Sequence, residues 1–191
     1  MGRVVHPHFI TPDSADGGDI ITGSTRFRKE DTFQFFRTPS SANNQYRYTV
    51  SAWVKKTSIN DGTGFGLIHS NSGGSGGAVG FRGSGGGGTA KDDDFGGSNR
   101  NASSGSGNYN INTTARYRDV TAWGHYYFAF DSTLSTSTDR VQIYVNGIRQ
   151  TDINSPQYPS QNYYSTAFPF ANTHETFLMK ANYTGGSNGE F

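Results

Sequence analysis

Residues able to do chemistry are few in this chain, and their spacing separates hydrolysis, metal binding and ligand stacking. Hydrolysis of a glycosidic bond with retention needs two carboxyl groups about 5 Å apart, one of them held protonated. The three glutamates, Glu30, Glu175 and Glu190, are scattered, and none shares a strand-length segment with another. A serine nucleophile is no better supported, because Gly73-Gly74-Ser75-Gly76-Gly77 lies in low-complexity sequence without the strand-to-helix elbow that presents such a serine. The five histidines, His6, His8, His69, His125 and His174, stand in unrelated contexts. His6-Pro7-His8 has the spacing to clip a metal, yet no cysteine or carboxylate lies beside it, so a solvated arm is the expectation. Asp92-Asp93-Asp94 offers hard oxygens of the kind Ca²⁺ gathers from flexible loops. Adjacent carboxylates cannot all point one way, and a solvated acidic run is expected, with calcium as the weaker alternative. Five rings could stack on a sugar: Trp53, Trp123, Tyr144, Tyr163 and Tyr164. Trp53 and Trp123 are expected to pack inside, which leaves Tyr163 and Tyr164 as the exposed pair for a ligand or a protein interface.

Positioning such groups requires elements, and composition restricts which ones form. Gly, Ser, Thr and Asn make up 82 of the 191 residues, whereas Leu numbers 3, Glu 3, Lys 5 and Met 2. The residues that carry helical surfaces are therefore scarce, and an all-helical fold is excluded first. Phe 14, Tyr 11 and Trp 2 supply large buried areas in compensation. A folded, aromatic-cored, all-β domain follows. Lys plus Arg is 16 against Asp plus Glu 15, so no global field draws in nucleic acid or an anionic membrane. The absence of cysteine removes disulfides, thiolate zinc sites and cysteine nucleophiles together. No apolar run approaches a membrane span, and Met1-Gly2-Arg3-Val4-Val5-His6-Pro7 lacks the apolar stretch of a secretory signal, so no export is expected. On that ground Asn101, Asn112 and Asn182, although in glycosylation sequons, are expected to be unmodified.

Residues 1–23 hold little patterning and read as an arm, leaving 24–191 as the domain. From Tyr46 to Lys55, Tyr48, Val50, Ala52 and Val54 alternate with Arg47, Thr49, Ser51 and Trp53, the period of a strand with one face buried. Phe65–His69 and Ala78–Arg82 read as further strands, the second weak. Residues 71–107 hold 14 of the 26 glycines, and a long mobile loop is expected there because so little side chain is available to offset chain entropy. Gly85-Gly86-Gly87-Gly88 lacks the Lys-Ser/Thr of a phosphate-binding loop. Tyr126–Phe130 and Val141–Val145 alternate around a polar turn, and Asn146-Gly147 predicts a tight hairpin into Ile148–Gln150. Tyr158–Phe170, with Pro159 and Pro169, reads as an irregular edge, and Thr176–Lys180 as the last strand. Short strands separated by turns predict an antiparallel sandwich or jelly roll.

Five segments make a resemblance specific: Arg37-Thr38-Pro39-Ser40-Ser41-Ala42, Thr49-Val50-Ser51-Ala52-Trp53-Val54-Lys55-Lys56, Arg118-Asp119-Val120-Thr121-Ala122-Trp123, Phe130-Asp131-Ser132-Thr133, and Asp139 to Gly147. In this order they resemble the laminin-G-like, concanavalin A-like jelly-roll domain of tailed-phage virion proteins, notably marine ones, over roughly residues 24–191. The resemblance implies a β-sandwich behind an N-terminal arm that anchors it to the particle. Such domains continue past the equivalent of Asn188-Gly189-Glu190-Phe191 into a closing strand, so closure by another segment, or a longer chain, is expected.

The function this implies is non-enzymatic: a structural component of a virion, of fibre or appendage type, exposed on the particle's exterior. It would assemble with other virion proteins and as a homo-oligomer, with a trimer favoured. Two alternatives stand beside it, a capsid decoration protein and a carbohydrate-binding module that recognises host-surface glycan. The fold also hosts glycoside hydrolases, which carry Glu-x-Asp-x-(x)-Glu on one strand, and this chain has no such run.

Overall fold

The computed structural model describes residues 23–26, 35–41, 44–57, 59, 65–72, 75–81, 93–100, 109–164 and 175–178. Alternation writes the strands at 47–54, 124–131 and 141–145 as the sequence predicts, whereas those at 35–37, 95–100 and 109–112 are not predicted by it. β1 is Phe35–Arg37, β2 Arg47–Val54, β3 Phe65–Ser72, β4 Ser75–Phe81 and β5 Phe95–Arg100. β6 is Tyr109–Asn112, β7 Gly124–Asp131, β8 Val141–Val145, β9 Ile148–Gln150 and β10 Thr176–Leu178. One 3₁₀ turn, Ser137–Asp139, is the only helical element among the described residues.

Two antiparallel sheets result. The larger has the order β1-β10-β3-β4-β5-β6, and the smaller β2-β7-β8-β9. The meander β7-β8-β9 forms as predicted, and Asn146 and Gly147 at its hairpin take φ values of 51° and 78°, the paired left-handed angles of a type I′ turn. The core lies between the sheets. Phe128 and Phe130 of β7 and Val141 and Ile143 of β8 face Val79, Phe81, Phe95 and Ile111 of the larger sheet. Tyr126 stands edge-on to Phe81 with ring centroids 4.7 Å apart, and Tyr109 lies 5.2 Å from Phe130. Each such side chain contributes about 1.5–3 kcal/mol when fully buried, so the rings replace the missing leucines.

The glycine-rich stretch departs from expectation. Between 71 and 107 the structure places the end of β3 and two complete strands, β4 and β5, in register from Gly76–Arg100 to Phe81–Phe95. The reason lies across the core. A Cβ added to Gly97 would sit 2.6 Å from the Phe128 ring and 3.2 Å from Val79. The opposite sheet fills the space that the glycines leave, and burial offsets the entropy that a glycine strand loses. β6, which the sequence reading missed, closes the same sheet. Residues 1–22, Gly85–Gly88 and the closing segment 179–191 lie outside the described residues.

Candidate ligand-binding face

Period-two alternation on β2, β7 and β8 sends one row of side chains into the core and the other onto an outer face. The register sets that face. Trp53 stands opposite His125, Ser51 opposite Tyr127, and Thr49 opposite Ala129. Across the next ladder Tyr127 stands opposite Tyr144, and Ala129 opposite Gln142. Three aromatic residues and a histidine are thus gathered on neighbouring strands. A shallow depression of about 360 Å³ lies among His125, Tyr127, Ala129, Gln142, Tyr144 and Gly147. Small residues make it, because Ala129 and Gly147 leave room between the taller rings.

Hydrogen bonds hold the rings in place. The Tyr144 hydroxyl donates to Gln142 Oε1 at 2.9 Å, and Ser51 Oγ and His125 Nε2 are 2.9 Å apart. The His125 backbone N–H donates to Asn146 Oδ1 at 2.8 Å. The Trp53 and His125 rings lie 5.2 Å apart, and Tyr127 meets Tyr144 edge-on at 5.7 Å. Both arginines of this sheet's outer side are already neutralised: Arg47 by Asp131 at 3.1 Å and Arg149 by Asp139 at 2.9 Å. The face offers apolar ring surfaces with hydroxyl, imidazole and amide groups between them. That combination suits a ligand with an apolar face and a hydroxylated edge.

The residues singled out from sequence fall differently. Trp53 is 57 % exposed and Trp123 50 %, so neither is the core ring it was expected to be; the second sheet does not cover the outer face. Tyr163 and Tyr164 do not form an exposed pair. Tyr163 is only 8 % exposed and packs edge-on against Tyr109 and Phe130. Tyr164, 49 % exposed, leans on Tyr46 with ring centroids 5.5 Å apart. The backbone carbonyl of Tyr163 accepts a bond from Ser132 Oγ at 2.8 Å, which fixes the tract inward.

The acidic run is not solvated where it is described. Asp93 and Asp94 are fully buried, while Asp92 lies outside the described residues. Asp93 takes a positive φ of 65° and turns its carboxylate onto the Lys56 ammonium and, at 3.2 Å, the Arg118 Nε. Its two oxygens serve as counter-ions to protein cations. Asn112 is buried and donates to Asn110 Oδ1 at 2.7 Å, so its amide is closed to glycosylation in the folded chain. His69 is buried in β3, and burial lowers its pKa to about 4. Among the described residues no group of three His, Asp or Glu side chains is arranged to hold a metal. His6, His8, His174, Glu30, Glu190, Asn101 and Asn182 lie outside those residues. The candidate ligand contacts that sequence reasoning missed, His125, Tyr127 and Gln142, carry the outward phase of β7 and β8, and that phase is the signal that finds them.

Two facing antiparallel sheets with an aromatic core define the class: an antiparallel β-sandwich of jelly-roll type. Comparison with protein families then matches residues 30–178 to the concanavalin A-like lectin/glucanases superfamily of laminin G type. The chain belongs to this family. Among curated proteins, none matches it.

Proposed function

We propose that this domain is a non-enzymatic adhesive module that binds neutral carbohydrate on the outer face of its four-stranded sheet. The observation that carries the reading is the exposed Trp53 beside His125, on the same face as Tyr127, Tyr144 and the depression between them. A sugar ring buries its C–H face on an aromatic plane, and Gln142, Ser51 and the tyrosine hydroxyls meet its hydroxyl groups. Ion pairing of Arg47 and Arg149 favours a neutral ligand over an acidic one. Catalysis has no support on this face. None of the residues around the depression is acidic, and no carboxylate among the described residues hydrogen-bonds His125 to turn its contact with Ser51 into a triad.

The test is a glycan array followed by calorimetry on the hits. Trp53→Ala and Tyr144→Ala are each expected to weaken binding at least about tenfold, as truncation of a central aromatic anchor does. An array without hits overturns the reading. So does a hit whose affinity ignores both substitutions.

The resemblance of the five segments named above supports a reading of the setting. We propose that the module belongs to a tailed-phage appendage on the particle exterior, with residues 1–23 as its anchor and other virion proteins as its neighbours. Mass spectrometry of purified particles tests this. Recovery of the chain in stoichiometric copies supports it, and many copies spread over the head would move the assignment to a decoration protein. Absence from the particles overturns it.

A further inference from the structure

Lys56 and Asp93 bring an amine and a carboxyl together between the two sheets. Lys56 follows β2 of the smaller sheet, and Asp93 precedes β5 of the larger. Their side chains keep 3 % and 0 % of their surface exposed. Lys56 Nζ rests against Asp93 Oδ1 and donates to the Tyr117 carbonyl at 3.0 Å. Phe81, whose ring centroid lies 5.1 Å from Nζ, and Phe95, 5.3 Å from Phe81, wall the site with apolar rings. Arg118 Nε donates to the second carboxyl oxygen, Asp93 Oδ2, at 3.2 Å.

The ion pairs Arg47–Asp131 and Arg149–Asp139 lack this setting, because they lie at the surface and a guanidinium stays protonated and does not attack a carbonyl. Asp93 also holds a φ of 65°, a left-handed backbone that a residue other than glycine adopts at a cost, and such costs gather where a side chain must be aimed. Amide formation needs an amine touching a carboxyl, exclusion of bulk water, and a cation beside the oxygen on which charge develops. All three coincide here. Contact of this kind acts as an effective concentration of up to about 10⁵–10⁸ M, which drives a condensation that is unfavourable between the free groups in water.

We propose that Lys56 and Asp93 condense to an intramolecular amide that joins the two sheets covalently. The Lys56 ammonium passes one proton to Asp93 Oδ1, because a buried apolar site favours the neutral pair. The freed amine attacks Asp93 Cγ, and the carbonyl electron pair moves onto Oδ2 beside Arg118. A second proton passes from the nitrogen to Oδ1, the Cγ–Oδ1 bond breaks, and Oδ1 leaves as water while Oδ2 becomes the amide oxygen. The third hydrogen stays on the nitrogen, where the Tyr117 carbonyl accepts it. Nothing is oxidised or reduced, and no co-reactant is consumed. The link spans 37 positions of chain, β3 and β4 among them, and removes the freedom of that loop from the unfolded state.

Mass spectrometry of the full folded chain, denatured just before measurement, tests this. The intact mass is expected to be one water below that of the sequence, and a proteolytic digest should contain a branched peptide that joins Lys56 to Asp93. Lys56→Arg and Asp93→Ala should each restore the full mass. The branched peptide is read on the wild-type chain, so the result does not depend on either variant folding. Asp16-Gly17 and Asp61-Gly62 can also lose a water by closing on their own backbone, but that loss gives no branch and survives both substitutions. A wild-type chain at full mass overturns the proposal and leaves the ion pair as the whole contact. A water lost without the branched peptide, or lost equally in Lys56→Arg, overturns it as well. Glycan binding on the outer face is read separately, so either idea can fail alone.

Discussion

Lys56 keeps only 3 % of its side chain exposed and sets its ammonium against Asp93, donates to the Tyr117 carbonyl at 3.0 Å and lies 5.1 Å from the Phe81 ring centroid. Removing one member of a buried ion pair costs about 3–5 kcal/mol, and Arg118, whose side chain is 44 % exposed, is the weaker counter-ion that Asp93 keeps. Lys56→Met is therefore expected to lower unfolding free energy by about that amount in a urea titration. Arg118→Met, whose side chain is 44 % exposed, should cost under about 1 kcal/mol because solvent screens it. Equal losses from the two variants would show that burial does not set Lys56 apart from Arg118. None of this was legible locally: Lys56 and Asp93 are separated by 37 positions, and an acidic run beside glycines looks solvated until the fold brings a lysine onto it.

At the scale of elements, β4 and β5 are strands that glycine makes possible. Gly97→Ala would push a methyl into the Phe128 ring at 2.6 Å, and overpacking of this order costs about 1–3 kcal/mol. Gly147→Ala meets open space and has only its φ of 78° against it, a penalty of about 1 kcal/mol. Thermal unfolding should rank Gly97→Ala below Gly147→Ala, and the reverse order would mean that the β5–β7 packing is loose. The hairpin β8-β9 was readable from Asn146-Gly147 because a type I′ turn is a local demand on φ. β5 was not readable, since Phe95-Gly96-Gly97-Ser98 has no alternation of its own and borrows its buried face from the opposite sheet.

For the molecule as a whole, His69 couples folding to pH. It pairs with Ala78 of β4 on one side and Phe177 of β10 on the other, in the middle of the larger sheet. Burial lowers its pKa from 6.5 to about 4, so the unfolded chain binds this proton more readily than the folded one. Its stabilising effect is complete above pH 6.5 and falls away as pH drops from 6.5 through about 4, a loss of about 3 kcal/mol across the window. Urea midpoints at pH 7.5 and 4.5 should show this decline, and His69→Gln should flatten it. An unchanged slope in that variant would assign acid sensitivity to other groups.

Sequence by itself determined the class of fold and the meander, because alternation, turn chemistry and the scarcity of helix formers are properties of neighbours along the chain. It also determined that Trp53 lies on the polar phase of β2, opposite to Tyr48 and Val50. Only the tertiary structure decided that this phase faces outward uncovered, that Tyr163 turns in while Tyr164 stays out, and that the glycine stretch becomes two strands. Each of those outcomes depends on what a second sheet does or does not place against the residue, and that contact is made by chain many positions away.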